Sequence, residues 1–313
     1  MVASSHKAKQ YGWFALKVFI LVCAFVFIYR KWASLSTDSW DIIGRAFQVK
    51  NGGITLLFIG MAAANWFFEI LKWKTLVSVV QKISFWEAGK QSLAALTVSL
   101  ATPNRIGEYG AKAYFFQPKH RKKILLFNAV GNLAQLFWTC VFGIWGAITV
   151  VPKWKETLTT AQFLGFMAGL VVISVMGYLF RNKEWFVKGL SIQKILGYLK
   201  KLPSVTVVKV MVFSALRYLF FSSLLYFLLY FFGAEMPYVQ VLPYITALYF
   251  LASVVPVFSF FDVVIKGSIA VWLLSFLGIN EAIVLAAIAT AWALNFVIPA
   301  LIGSVFMFKF KHP

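Results

Sequence analysis

Six long apolar stretches constrain this chain more than any other feature. They run from Gly12 to Tyr29, Ile54 to Leu71, Ile124 to Val151, Gln162 to Phe180, Val205 to Phe232 and Ala282 to Phe308. A bilayer's hydrocarbon core is about 30 Å thick, which a helix of about 20 apolar residues crosses. Backbone in hydrocarbon must satisfy its own hydrogen bonds, so only helices and closed barrels span. Barrel strands alternate apolar and polar residues over about 10 positions, and these stretches do not alternate. The chain is 61% hydrophobic and 13% charged, where a soluble domain carries about 25% charged residues. The expected fold is an all-α integral membrane protein.

Two of the six, Gly12 to Tyr29 and Gln162 to Phe180, border basic runs. The first follows His6-Lys7-Ala8-Lys9 but contains Lys17 and lacks a small-residue cleavage pattern. It reads as a retained helix rather than a signal peptide. The basic stretch from Arg181 to Lys201 is expected on the membrane surface.

The net charge is +20. No basic module stands apart from the spans, so nucleic acid is not an expected partner. Basic loops facing anionic lipid at the cytoplasmic surface account for the charge. With both termini cytoplasmic, inner loops hold 19 Lys and Arg and outer loops 6, as the positive-inside rule requires. Cys23 and Cys140 lie in apolar runs, and His6, His120 and His312 in basic loops or tails. Neither set clusters as metal ligands do. No cofactor, metal or nucleophile motif is present, and an enzyme is not the leading expectation.

Two apolar segments are interrupted. One runs from Gln91 to Phe116 and is broken at Ala101-Thr102-Pro103-Asn104-Arg105-Ile106-Gly107-Glu108. The other runs from Val239 to Leu277 and is broken at Pro256 and Phe258-Ser259-Phe260-Phe261-Asp262. The 12 residues between Lys90 and Pro103 make roughly 18 Å of helix, too little to cross. Both segments therefore read as re-entrant helical hairpins, sheltered by protein or lining a cavity.

The breaks repeat. Glu108 and Lys112 are four apart, as are Asp262 and Lys266, and the pairs are offset by 154 residues in a chain of 313. The expected organisation is a first repeat over 1–154 and a second, inverted one over 155–313. Each holds three spanning helices and one broken hairpin, a pattern found in transporters. Acid–lysine spacing of four is also common on ordinary helices.

Ionisable residues within membrane segments are costly and face a partner or cavity. Arg105, Glu108, Lys112, Asp262 and Lys266 are the main candidates. Each acid–lysine pair reads either as mutual neutralisation or as part of a binding site for a charged headgroup. A helix starting at a break turns free N–H groups inward, and the planar fork of Arg105 suits phosphate. Arg217 either lines the same cavity or snorkels to the inner surface. Asn128, Asn132 and Gln135 share one helix face and serve either interhelical hydrogen bonds or the cavity. Asn65 and Glu69 form a similar one-turn pair, with Glu69 and Lys72 expected at the interface.

The run Thr102-Pro103-Asn104-Arg105-Ile106-Gly107-Glu108 resembles the T-P-G-R-[LI]-G-E motif of the lysylphosphatidylglycerol synthase transmembrane (flippase-type) family of bacterial inner-membrane proteins. Asn104 stands where that motif has glycine. The family's second motif, P-x-P-G-G-x-G-x-x-E, is reduced to Pro256 and Phe258 to Asp262. No residues remain for an aminoacyl-transfer domain. The resemblance implies translocation of a lipid with a polar, phosphate-bearing headgroup across the bacterial inner membrane. The alternatives are a membrane-embedded enzyme on a lipid-linked substrate, with Glu108 or Asp262 as base, and a non-catalytic partner subunit. A homo-oligomer is compatible with all three.

Overall fold

The computed structural model describes residues 44, 52–100, 102, 105–157, 197, 199–254 and 262–308. The expected spans Gly12 to Tyr29 and Gln162 to Phe180, the surface stretch Arg181 to Lys201 (apart from its last residues), and Pro103, Asn104, Pro256 and Phe258 to Phe261 lie outside them. The described residues form helices α1 (Gly52–Val77), α2 (Phe85–Leu100), α3 (Ile106–Tyr114), α4 (Pro118–Thr157) and α5 (Ser204–Phe231). They continue as α6 (Tyr238–Val254), α7 (Asp262–Ser275), α8 (Glu281–Trp292), a π-helical turn (Ala293–Val297) and α9 (Ile298–Phe308). The architecture is all-helical among these residues. Among the described residues, four helical stretches are long and apolar enough to cross a membrane: Gly52–Val77, Pro118–Pro152, Ser204–Phe231 and Glu281–Met307.

Local chemistry sets the helix ends. The more polar stretch from Lys72 to Lys90 divides into the end of α1, a turn and the start of α2. Ser84 and Glu87 form a reciprocal cap there. The Ser84 hydroxyl accepts from the Glu87 N–H at 3.1 Å, and the Glu87 carboxylate accepts from the Ser84 N–H at 3.0 Å. At the end of α5, Gly233 adopts φ 108° and the Ala234 N–H reaches back to the Leu229 carbonyl. Gly278 repeats this after α7 with φ 70°. A left-handed residue closing a helix in this way is ordinarily glycine. Asn280 then caps α8 by accepting from the Ala282 N–H at 2.8 Å.

The π-helical turn has a cause and an effect. Pro299 has no N–H to offer the carbonyl four residues back, which belongs to Asn295. The Trp66 indole donates to that carbonyl at 3.0 Å instead. The same turn carries the Asn295 side chain inward, where its amide oxygen accepts from Asn65 at 2.7 Å.

α1 packs along α5, α4 crosses α6, and α9 crosses α2. Phe58, Met61 and Ala62 of α1 share the largest apolar cluster with Leu224, Leu225 and Leu228 of α5. At the α4–α6 crossing, a Cβ on Gly143 or Gly146 would overlap Phe250, the Pro243 carbonyl or Thr246. At the α9–α2 crossing, a Cβ on Gly303 would overlap the Leu93 carbonyl. Small residues permit such approach between membrane helices. Gly303→Val is expected to destabilise the protein by about 1–3 kcal/mol through overpacking. Gly60→Ala, whose added Cβ meets nothing within 4 Å, is expected to leave the melting temperature of the detergent-purified chain no lower than that of wild type.

Candidate functional site

The first break folds around Thr102. Its hydroxyl oxygen accepts from the Gly107 N–H at 2.8 Å and its O–H donates to the Ser99 carbonyl at 3.1 Å. Any Cβ at Gly107 would press on Thr102 and on the Val98 carbonyl. The chain reaches this close approach with Arg105 in the left-handed region, φ 57°. Such a conformation costs a non-glycine residue roughly 1–2 kcal/mol. It leaves the Arg105 side chain beside Glu108, with Nη2 3.0 Å from Oε2.

From Glu108 a buried charge network extends across three helices. Lys112 Nζ donates to Glu108 Oε1 at 2.7 Å and to Asn128 Oδ1 of α4 at 2.9 Å. It also sits 4.4 Å from the centre of the Trp73 ring and 3.8 Å from Glu69 Oε1. Glu69 Oε2 in turn meets Lys72 Nζ at 2.6 Å and Arg217 Nη1 at 2.9 Å. Arg217 Nε donates to Asn65 Oδ1 at 3.1 Å, which joins α5 to the Asn65–Asn295 pair.

Glu69 is thus the hub of the network, and it is only 5% exposed. The expectation of an interfacial Glu69–Lys72 pair fails because Lys72 is also buried, at 2%. Glu69 reaches Arg217 of α5 and Lys112 of α3, and Lys72 lies against Gly131 of α4. Arg217 does not snorkel: Glu69 and Asn65 hold it inside.

A cavity of about 390 Å³ lies beside this network. Arg105, Asn132, Gln135, Arg217, Asp262 and Lys266 contribute its polar wall, with Tyr109, Tyr218, Phe221 and Tyr249 among its aromatic residues. Of the residues singled out in the sequence, Asn65, Arg105, Asn132, Gln135, Arg217, Asp262 and Lys266 therefore share one cavity. Glu108, Lys112 and Asn128 do not line it; they stand behind Arg105 and hold it in place. Asn132 donates to the Tyr109 hydroxyl at 3.1 Å. Both readings of the asparagine face hold, since Asn128 bonds between helices and Asn132 does that on the cavity wall.

The second acid–lysine pair differs from the first. Lys266 Nζ meets Asp262 Oδ2 at 2.6 Å and lies among three rings, 5.3 Å from Phe296, 5.4 Å from Phe221 and 5.7 Å from Tyr249. Cation–π contacts in a desolvated site stabilise an ammonium group. Tyr218, Tyr249 and Asn295 were not legible as site residues, because a tyrosine or asparagine in an apolar run carries no charge signature.

No family model matches this chain, and neither does any curated protein or solved structure. The chemistry of the cavity is therefore the guide to its role. Its neighbour is of opposite character. A groove of about 530 Å³, almost wholly apolar, runs along α3 and α4 past Ile106, Gly107, Gly110, Ala113 and Leu125. Tyr109 belongs to the walls of both spaces.

Proposed function

We propose that this protein is a lipid translocase that moves a lipid with a phosphate-bearing headgroup across the membrane. The observation that carries the reading is the cavity itself, in which two arginines and a lysine face one carboxylate. Arginine forks match phosphate oxygens in pairs. The adjoining apolar groove beyond Tyr109 offers a path for a tail, so the two spaces together suit an amphiphile.

The inverted-repeat reading supports transport. Moved 154 residues along, Gly52–Val77 falls within Ser204–Phe231, and Phe85–Leu100 falls on Tyr238–Val254 but for one residue. The crossings correspond too. Gly146 of α4 meets Thr246 of α6, while Ala300, 154 residues further on, accepts from Thr97 of α2 at 2.8 Å. In this reading α2–α3 and α6–α7 are the re-entrant hairpins, entering from opposite faces, and rocking of one half against the other exposes the cavity alternately. A place in the bacterial inner membrane, and membership of the flippase-type family, follow from the resemblance around Arg105 and belong to the same proposal.

Reconstitution of the full chain in proteoliposomes with fluorescent phospholipid tests the reading. Exchange between leaflets is expected with the wild type, and a loss of at least tenfold in Glu108→Gln and Asp262→Asn. Wild-type rates in both variants would sink the site. Gly110→Trp, whose side chain would fill the apolar groove, is expected to slow exchange without altering the polar cavity.

A further inference from the structure

The charges around the cavity do not balance. Among the described residues, the linked network and the second pair hold five cations, namely Lys72, Arg105, Lys112, Arg217 and Lys266. They hold three anions, Glu69, Glu108 and Asp262. Two positive charges are left over in a place where unpaired charge is expensive. Two residues of the cavity wall also hold a buried donor without a hydrogen-bond acceptor, Arg105 at Nε and Tyr218 at its hydroxyl. Tyr218 is 2% exposed, so bulk solvent does not reach its hydroxyl.

From this we infer that the cavity is built for a phosphomonoester or similar dianionic phosphate, in preference to the single charge of a phosphodiester or a zwitterionic headgroup. A phosphomonoester carries close to two negative charges at neutral pH and three acceptor oxygens. Two charges neutralise the surplus, and the oxygens suit the guanidinium groups of Arg105 and Arg217 on the wall. A phosphodiester leaves one cation uncompensated. A choline or ethanolamine group adds a further cation where Lys266 already fills the aromatic enclosure. That the dianion is borne by a lipid rests on the translocase reading; that the cavity takes a dianion does not.

Thermal unfolding of the detergent-purified full chain tests this with phosphatidic acid, phosphatidylglycerol, phosphatidylcholine and inorganic phosphate at equal concentrations. At pH 8, phosphatidic acid is expected to bind at least tenfold more tightly than phosphatidylglycerol, with phosphatidylcholine weakest. At pH 5, where the monoester has lost its second charge, its advantage over phosphatidylglycerol is expected to vanish. Equal stabilisation by phosphatidic acid and phosphatidylglycerol at pH 8, or a lead for phosphatidylcholine, would overturn the inference. If inorganic phosphate matches phosphatidic acid, the dianion site stands and the lipid reading falls. If no lipid moves in proteoliposomes while the binding order holds, the translocase reading alone falls. Arg105→Gln is expected to abolish the preference for the monoester. Should that variant not fold, Lys266→Gln, which removes one cation of the wall, is expected to reduce the preference severalfold, and an unchanged preference would count against the placement.

Discussion

Replacing Glu69 with glutamine is expected to destabilise the protein by about 3–5 kcal/mol, the range for breaking a buried ion pair by removing one partner. The size follows from the position of Glu69 between three cations. Lys72 at 2.6 Å and Arg217 at 2.9 Å pair with its carboxylate, and Lys112 lies 3.8 Å from it. The glutamine side chain has nearly the same shape, so the loss reports charge and not packing. Chemical unfolding of the purified chain gives the measurement. The double variant Glu69→Gln/Arg217→Gln removes one charge of each sign and is expected to recover at least 1 kcal/mol of the loss. A single variant as stable as wild type would mean that the network is not the buried hub described above.

The second large effect has the opposite balance of stability and activity. Arg105→Gln/Arg217→Gln removes both surplus positive charges. Folding is expected to survive, because Glu108 keeps Lys112 at 2.7 Å and Glu69 keeps Lys72. Transport is expected to fall at least a hundredfold, or about 2.7 kcal/mol in barrier at 1.36 kcal/mol per factor of ten. Melting within a few degrees of wild type, together with lost exchange in proteoliposomes, would separate binding from folding. A variant that melts like wild type and still transports would remove the arginines from the mechanism. The two variants make the charge count testable in both directions, since adding to the surplus harms the fold and cancelling it harms the activity.

The long helices were legible because a bilayer demands length and apolarity, and both are written in the residues. The Glu108–Lys112 and Asp262–Lys266 pairs were legible because one helical turn brings i and i+4 together. The hub at Glu69 was not. Its nearest neighbour along the chain, Lys72, suggested an interfacial pair, while the partners that bury it, Arg217 and Lys112, arrive on other helices. Asn295 was hidden for a different reason. It lies in Ala293–Val297, whose run Ala-Leu-Asn-Phe-Val gives no hint of a π-helical turn; the proline that frees its carbonyl comes four residues later. Pairing within a helix is local information, and pairing between helices waits on the packing.

The two surplus positive charges have an electrical consequence. A membrane voltage does work of about 2.3 kcal/mol on each elementary charge per 100 mV crossed. In an alternating-access cycle, a cavity loaded with a dianion would be neutral and would turn without feeling that field. The empty cavity would carry its two charges back through part of it. With the inside negative, voltage would hold the empty protein open to the cytoplasm and slow its return to the other face. Unloaded reorientation, and not the passage of cargo, would then be the step that the membrane potential controls.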